Sequence, residues 1–126
     1  MSHSNSATVY GIPNCDTVKK ARDWLSAAGV DYQFHDFKKA GVPEAALADW
    51  LQALGWEAVL NRKGTTWRKL DATLQATVTD AASAAAVVRE FPSVVKRPVV
   101  RWPKGRLSVG FSPAQFAALQ GASTSA

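Results

Sequence analysis

The chain has 126 residues, 47% of them apolar and 20% charged, which is typical of one globular domain with its own hydrophobic core. Its single cysteine excludes an internal disulfide framework and a cysteine-rich zinc site, so we expect no bound metal. The net charge of +5 comes from small basic groups without a long basic arm, a pattern that disfavours direct binding to nucleic acid.

Residues 1–7 are small and polar, and they lack the apolar region of a secretory signal. No stretch of the sequence approaches the ~20 consecutive apolar residues that a membrane-spanning helix requires. We therefore expect a cytoplasmic protein without a membrane partner.

The next segments predict a βαβ unit. Residues 7–11 form a short apolar strand that ends in a cluster of turn residues. Apolar residues then recur at helical spacing over 18–28, and Gly29 is a typical C-terminal stop. Residues 30–37 alternate like a strand, with one face formed by Val30, Tyr32 and Phe34. A strand, a helix and a second strand in this order predict parallel pairing with a right-handed crossover.

The middle of the chain predicts an all-helical region. One helix covers 43–54 and opens with Pro43 in its first turn, and a second covers 80–90 with Thr79 as its N-cap. Residues 55–70 lie between the two helices and are expected to be a polar connector.

The last third predicts two strands and a helix. Residues 94–102 are extended, and 107–110 pair back on them as a β-hairpin around a turn at 103–106. Ser112 is expected to cap a final helix that Gly121 ends. The whole order is β-α-β, a helical block, then β-β-α, which describes an α/β fold.

Cys15 lies where the first strand meets the first helix. The first N–H groups of a helix are unpaired and carry a partial positive charge, so a sulfur aimed at them is stabilised as the thiolate. The thiolate is the nucleophilic form of cysteine. The position therefore indicates a reactive thiol, and the alternative is a small buried hydrophobic residue.

Four short motifs carry a resemblance to a known family. They are the run 10–21 around Cys15, the segment Asn61–Thr65, the pair Arg97–Pro98, and the segment Val109–Phe111. In this order and spacing they resemble the arsenate reductase (ArsC) and Spx family, in particular its YffB-like branch, over residues 7–119.

The resemblance implies a thioredoxin- or glutaredoxin-like fold with an inserted all-helical region. Residues 1–126 would then form a single ArsC-like domain. Its core would cover about 7–40 and 91–120, with the helical insertion at about 43–90 and tails at 1–6 and 121–126.

The resemblance also implies the roles of several residues. Cys15 would be the nucleophile, and Arg62 and Arg97 would bind the substrate anion beside it. Pro98 would follow a cis peptide bond, face the thiol and present backbone groups to an extended thiol peptide. Asn14, next to the cysteine, would either cap the helix or contact the ligand.

One position departs from the family pattern. Arsenate reductases of this family bind their oxyanion with three arginines, and Phe111 stands where the third would be. Each charge-assisted hydrogen bond lost with that guanidinium contributes roughly 1.5 to 3 kcal/mol. Efficient arsenate reduction would need a compensating cation, for which Arg101 and Arg106 of the hairpin are candidates.

We therefore expect a glutathione-dependent thiol reductase that uses one cysteine and no bound cofactor. Glutathione or another small thiol would be the co-substrate, and glutaredoxin a partner. Two alternatives stay open, namely a genuine arsenate reductase and a Spx-like regulator that binds RNA polymerase without catalysis. Spx regulators usually carry a Cys-x-x-Cys switch, and Val18 stands at its second position here, so that switch cannot form.

Overall fold

The structure is a computed structural model, and it describes residues 6–124. Nearly all of the predicted N-terminal tail, and the end of the C-terminal one, lie outside the described residues. The chain divides into two compact units, with boundaries between Asp36 and Phe37 and between Lys96 and Arg97. We call residues 6–36 with 97–124 the sheet unit and residues 37–96 the helical unit.

Four strands and eight helices follow one another in the described chain. They are β1 (Ala7–Gly11), α1 (Asp16–Ala27), β2 (Tyr32–Asp36), α2 (Phe37–Ala40), α3 (Glu44–Leu54), α4 (Trp56–Val59), α5 (Thr65–Arg68), α6 (Ala72–Ala76), α7 (Ala81–Glu90), β3 (Val99–Arg101), β4 (Leu107–Val109) and α8 (Pro113–Thr124). Short 3-10 turns occupy Pro92–Val94 and Pro103–Gly105. No helix within 6–124 is both long and apolar enough to cross a membrane.

The sheet unit contains one four-stranded mixed sheet in the order β2-β1-β3-β4. β1 and β2 are parallel, which confirms the predicted βαβ unit. β3 runs antiparallel to β1, with Val9 opposite Val100 and Tyr10 opposite Val99. β3 and β4 form the predicted hairpin. The α/β architecture expected from the sequence is therefore confirmed.

The core of the sheet unit lies on one face of the sheet, where α1 and α8 pack. Alternate residues of β1 point into it, because successive side chains of a strand face opposite sides. The buried members of this cluster are Ala7, Val9, Ala21, Leu25, Val100, Trp102 and Phe116. Val30, Tyr32 and Phe34 pack against the same cluster, so the predicted alternation in β2 is confirmed.

Phe116 of α8 is the centre of that core. Its ring is fully buried and makes edge-to-face contacts with Trp24, Trp102 and Phe111 at centroid distances of 5.5, 4.9 and 4.7 Å. Aromatic pairs of this geometry contribute about 0.5 to 1.5 kcal/mol beyond the burial of their area. The buried indole of Trp102 donates from Nε1 to Ser108 Oγ at 2.9 Å, which satisfies both polar groups.

The helical unit has a core of its own, formed mainly by α3 and α7. Its fully or nearly fully buried side chains include Leu47, Trp50, Val59, Leu60, Val87, Val88, Val94 and Val95. The prediction of a polar connector over 55–70 is therefore wrong in part, since α4 and α5 form there and Val59 and Leu60 are buried. These two residues pair with the segment after α7, where Asn61 N donates to Val94 O and Lys96 N donates to Val59 O, each at 2.8 Å.

Three predicted helix boundaries differ in detail. Pro43 is the N-cap of α3 rather than a first-turn residue. Asp80, not Thr79, caps α7, because its carboxylate accepts from the Ser83 N–H. α8 passes through Gly121 to Thr124, since a single glycine costs only about 1 kcal/mol in a helix otherwise rich in alanine. The predicted Ser112 cap of α8 is confirmed, as its Oγ accepts from Gln115 N at 3.1 Å.

The capping box of α7 predicts a pH-dependent contribution to stability. The Ser83 N–H and, next, the Ser83 hydroxyl both donate to the carboxylate and hold the pKa of Asp80 below its usual range. A lowered pKa in the folded state stabilises the fold above the normal titration range of aspartate, and this contribution is lost as the pH falls through the lowered value.

We therefore expect Asp80→Ala to lower Tm by a few degrees at pH 7. The difference from the native chain should shrink once the pH falls below about 4, where aspartate carboxylates protonate. Thermal unfolding followed by circular dichroism checks both parts. Asp49→Ala, at an exposed position inside α3, is the control and should show no such loss. An equal loss of Tm in both variants would contradict the capping role.

Gly11 ends β1 at a point where α1 comes very close. A Cβ built on Gly11 would lie 2.9 Å from Val18 Cγ2 and 3.2 Å from Val18 Cγ1, closer than side chains tolerate. Valine has a stiff side chain and cannot swing away freely. The glycine therefore sets how near the first turn of α1 lies to the sheet.

We expect Gly11→Ala to destabilise the fold by about 1 to 3 kcal/mol, the usual cost of overpacking a core. Urea denaturation measures this change, and a Val18→Ala substitution added to Gly11→Ala should recover part of it by making room. Gly121→Ala is the matched control, since nothing lies within 4 Å of the added Cβ and alanine favours a helix. A Gly11→Ala protein as stable as the native chain would disprove the close approach.

Candidate active site

Several segments of the sheet unit meet at one end of the sheet. β1 ends at Gly11 beside the last residue of β2, Asp36. Because β3 is antiparallel to β1, it begins at this same end, with Val99 opposite Tyr10. β4 ends there too, with Val109 opposite Val99. We call this end, where residues 11–15, 97–98 and 110–111 converge, the thiol end.

Cys15 lies at the predicted junction of strand and helix, where it is the N-cap of α1. Its backbone is extended, its carbonyl accepts from Lys19 N at 2.9 Å, and its side chain makes no capping hydrogen bond. The residue as a whole is half-buried. The N-cap of a twelve-residue helix is a position where the partial positive charge of the helix terminus favours an anion.

Asn14 precedes Cys15 in an exposed turn. The prediction that Asn14 caps the helix is wrong, because α1 begins at Asp16 and the N-cap is therefore one residue later, at Cys15. Contact between Asn14 and a ligand stays a prediction.

Arg97 and Pro98 lead into β3 at the thiol end. The peptide bond between them is cis, as the resemblance implied, and Pro98 is buried while Arg97 is half-buried. The Pro98 carbonyl accepts from Gly110 N at 2.9 Å. Gly110 has a φ of 83°, a conformation that favours glycine, so this contact depends on the residue type. The backbone before β3 is thus tied to the end of β4.

Arg62 belongs to the helical unit and lies on a turn closed by Gly64 N donating to Asn61 O at 3.0 Å. Its guanidinium is 3.7 Å from Glu57 Oε2 and 5.3 Å from the centre of the Trp56 ring. Exposed ion pairs of this kind contribute little to stability. The role of Arg62 in binding an anion stays a prediction.

The two hairpin arginines lie at the opposite end of the sheet from the thiol. Arg101 pairs with Thr8, three residues before Gly11, which is about 10 Å along a strand. Arg106 precedes Leu107, the partner of Arg101 in β4, and is farther still. The expectation that either one could replace the missing third arginine is therefore wrong, because the antiparallel register carries both away from Cys15.

Phe111 follows Gly110 at the thiol end and packs on the core. It is half-buried, and its ring meets Phe116 nearly at a right angle. An apolar ring, packed on the hydrophobic cluster, therefore stands at the position of the third arginine in the family pattern.

Sequence reasoning did not anticipate two contributions to this end of the sheet. The structural role of Gly110 in holding Pro98 could have been suspected from a glycine directly after an alternating strand. The half-buried carboxylate of Asp36, which ends β2 beside Gly11, gave no such signal because a lone aspartate after a strand is common.

These groups can support nucleophilic chemistry at sulfur. The thiol lies at a helix N-terminus, Arg97 supplies a cation from the same end of the sheet, and the backbone around Pro98 is fixed. Within residues 6–124, no three His, Cys, Asp or Glu side chains cluster as they would around a metal ion.

The comparisons with known proteins all point to the same family. The model of the ArsC family matches residues 10–119. A solved structure of a protein named YFFB is 46% identical, covers 89% of this chain and 96% of its own, and superposes with a TM-score of 0.83. A solved ArsC-related protein from Brucella melitensis is 51% identical with a TM-score of 0.70, covering 90% of this chain and 92% of its own.

More distant relatives include the global transcriptional regulator Spx of Streptococcus pyogenes. It is 26% identical over 108 residues, which are 83% of this chain and 78% of the relative. The family match spans the thiol end, the helical unit and the hairpin together. The chain belongs to the ArsC family.

Proposed function

We propose that this protein is a thiol oxidoreductase in which Cys15 is the nucleophile and glutathione the reducing co-substrate. The observation that carries the proposal is the half-buried Cys15 at the N-cap of α1, at the same end of the sheet as Arg97 and Pro98. Membership of the ArsC family supports the same kind of chemistry.

The proposed reaction has two steps. The Cys15 thiolate attacks the glutathione sulfur of a mixed disulfide, a bond forms between the two sulfurs, and the substrate leaves as a thiolate. A second glutathione then attacks the Cys15–glutathione disulfide, releasing glutathione disulfide and restoring the Cys15 thiolate. In the net reaction, one glutathione reduces one mixed disulfide. The products are the free substrate thiol and glutathione disulfide, one half of which comes from the mixed disulfide.

The single cysteine supports a resolving thiol from outside the chain. Glutathione carries two carboxylates, and Arg97 is the proposed partner for one of them because a guanidinium forms paired hydrogen bonds with a carboxylate. Arg62 is a second proposed anion-binding residue, supported by the motif that contains it. Pro98 and Asn14 are proposed to contact the bound peptide through backbone and amide groups.

Arsenate reduction is less well supported than disulfide reduction. A tetrahedral oxyanion needs several cations, Phe111 stands where the family pattern has the third, and the hairpin arginines lie at the other end of the sheet. A disulfide carries no net charge at the reacting sulfur and does not need that third guanidinium.

The first test measures the reactivity of the sulfur. Incubation with glutathione disulfide at pH 7 should give a protein carrying one glutathionyl group by mass spectrometry, and Cys15→Ser should give none. The matched control is the double variant Cys15→Ser with Ser26→Cys, which moves the only thiol to an exposed position in the last turn of the same helix.

The native thiol should react about tenfold faster than the thiol at position 26, because the two ends of a helix favour opposite charges. Equal rates would contradict the proposed activation by the helix start. No adduct at Cys15 would contradict the proposed function itself.

The second test concerns Arg97. Losing its charge-assisted hydrogen bonds should slow the reaction of Cys15 with glutathione disulfide about tenfold in Arg97→Ala. Arg101→Ala removes the same charge from the other end of β3 and is expected to react like the native chain. The reaction is quenched at a series of times, and the adduct is quantified by mass spectrometry at several glutathione disulfide concentrations. Identical losses in the two variants would show that only net charge matters.

A regulator that binds RNA polymerase is a second candidate function, favoured by the similarity to the Spx regulators. The Cys15→Ser protein distinguishes the enzyme from the regulator. Polymerase binding that is as strong in Cys15→Ser as in the native chain, together with no adduct formation at Cys15, would favour the regulator over the enzyme.

A further inference from the structure

Phe111 lies at the thiol end, and the core holds its ring in place. It directly follows Gly110, whose N–H donates to the Pro98 carbonyl at the thiol end. Its ring packs edge-to-face on Phe116, which shares a buried cluster with Ala21 and Leu25 of α1. Phe111 and the start of α1 therefore lie at the same end of the sheet and on the same face.

The ring of Phe111 is only half-buried. The buried Phe116 holds one side of it, so the exposed part is preorganised and loses little conformational freedom when a ligand covers it. An aromatic ring held in this way offers apolar contact area to a group that approaches the thiol.

The surface beyond Phe111 is uncharged. Ser112, Pro113 and Ala114 follow it, all of them exposed, and α8 contains no charged residue from Pro113 to Thr124. Across the thiol end, Asp16 and Asp36 carry carboxylates on the side of β1 and β2. The side that Phe111 forms thus combines an apolar ring and uncharged neighbours with the cation of Arg97, whereas the side of β1 and β2 carries carboxylates.

We propose that Phe111 is a specificity-determining residue that selects substrate cysteines flanked by apolar side chains. The substrate class is a mixed disulfide between glutathione and a protein or peptide cysteine with a large apolar neighbour. The proposal rests on the thiol reductase activity proposed above. The apolar neighbour lies on Phe111 while Cys15 attacks the glutathione sulfur and the substrate cysteine leaves as a thiolate.

The step is balanced without a further reactant. The sulfur–sulfur bond of the substrate breaks as the bond from Cys15 to the glutathione sulfur forms, and the electron pair of the broken bond leaves on the substrate sulfur. Two binding sites are needed at that moment, one for the glutathione half and one for the departing peptide half. Phe111 belongs to the second.

The test compares two short peptides that share a central glutathionylated cysteine. One peptide has leucine on both sides of the cysteine and the other has serine, so that they differ in apolar area and not in charge. Single-turnover formation of the Cys15–glutathione adduct is followed by mass spectrometry. We expect the leucine peptide to react about tenfold faster, the scale on which an apolar pocket discriminates side chains.

Three variants assign this preference to Phe111. Phe111→Ser should lose it, and Phe111→Leu, which keeps an apolar side chain, should keep most of it. Leu107→Ser removes a half-buried apolar residue from the opposite end of β4 and controls for a general loss of packing. With glutathione disulfide, whose departing half is a second glutathione without a large apolar neighbour, Leu107→Ser should react like the native chain.

The outcomes separate this inference from the activity on which it rests. Equal rates for the two peptides with the native protein would overturn the inference whether or not Phe111→Ser folds, and would leave the reductase proposal standing. A preference that survives Phe111→Ser in a folded protein would also overturn it. Failure of Cys15 to react with either peptide and with glutathione disulfide would overturn the reductase proposal, and this inference with it.

Discussion

The antiparallel pairing of β1 with β3 is the constraint on which the proposed site depends. It joins residues 8–10 to residues 99–101, on either side of the whole helical unit in the sequence. Because the pairing is antiparallel, the end of β1 and the beginning of β3 coincide, and Cys15 and Arg97 come from the same end of the sheet. A parallel pairing would have put Arg97 at the far end, with the hairpin arginines near the thiol.

A second constraint couples the core to that end of the sheet. Phe116 is enclosed by three aromatic rings, and one of these, Phe111, belongs to the thiol end. Phe111 therefore contributes to the stability of the core and forms part of the surface at the thiol end. A substitution of Phe111 therefore affects both the stability of the core and this surface. For this residue, the ratio of the rates with two substrates is more informative than either rate alone.

The elements of the sheet unit could be predicted because their periodicity is strong. Val18 to Leu25 repeat at helical spacing, Val30 to Phe34 alternate, and the hairpin carries a clear turn signal. The burial of Val59 and Leu60 could not be predicted, since their partners at 94–95 are distant in sequence. The location of Cys15 at a helix start was accessible from local pattern, whereas the exclusion of Arg101 required the register between strands. The N-caps of α7 and α1 are Asp80 and Cys15, each one residue after the predicted Thr79 and Asn14. Neighbouring residues that can all cap a helix make its first residue hard to predict from sequence.

The separation of the two halves of the sheet by residues 37–96 has a consequence for the lone sulfur. Its surroundings come from segments that meet only after the chain has closed a long loop, and loop closure of this kind is slow and entropically costly. Before that closure, during synthesis or after partial opening, Cys15 lacks the neighbours that β3 and β4 bring to the thiol end. Because the chain has one cysteine, any change in the environment of this sulfur on folding reports closure of the loop with one signal per molecule.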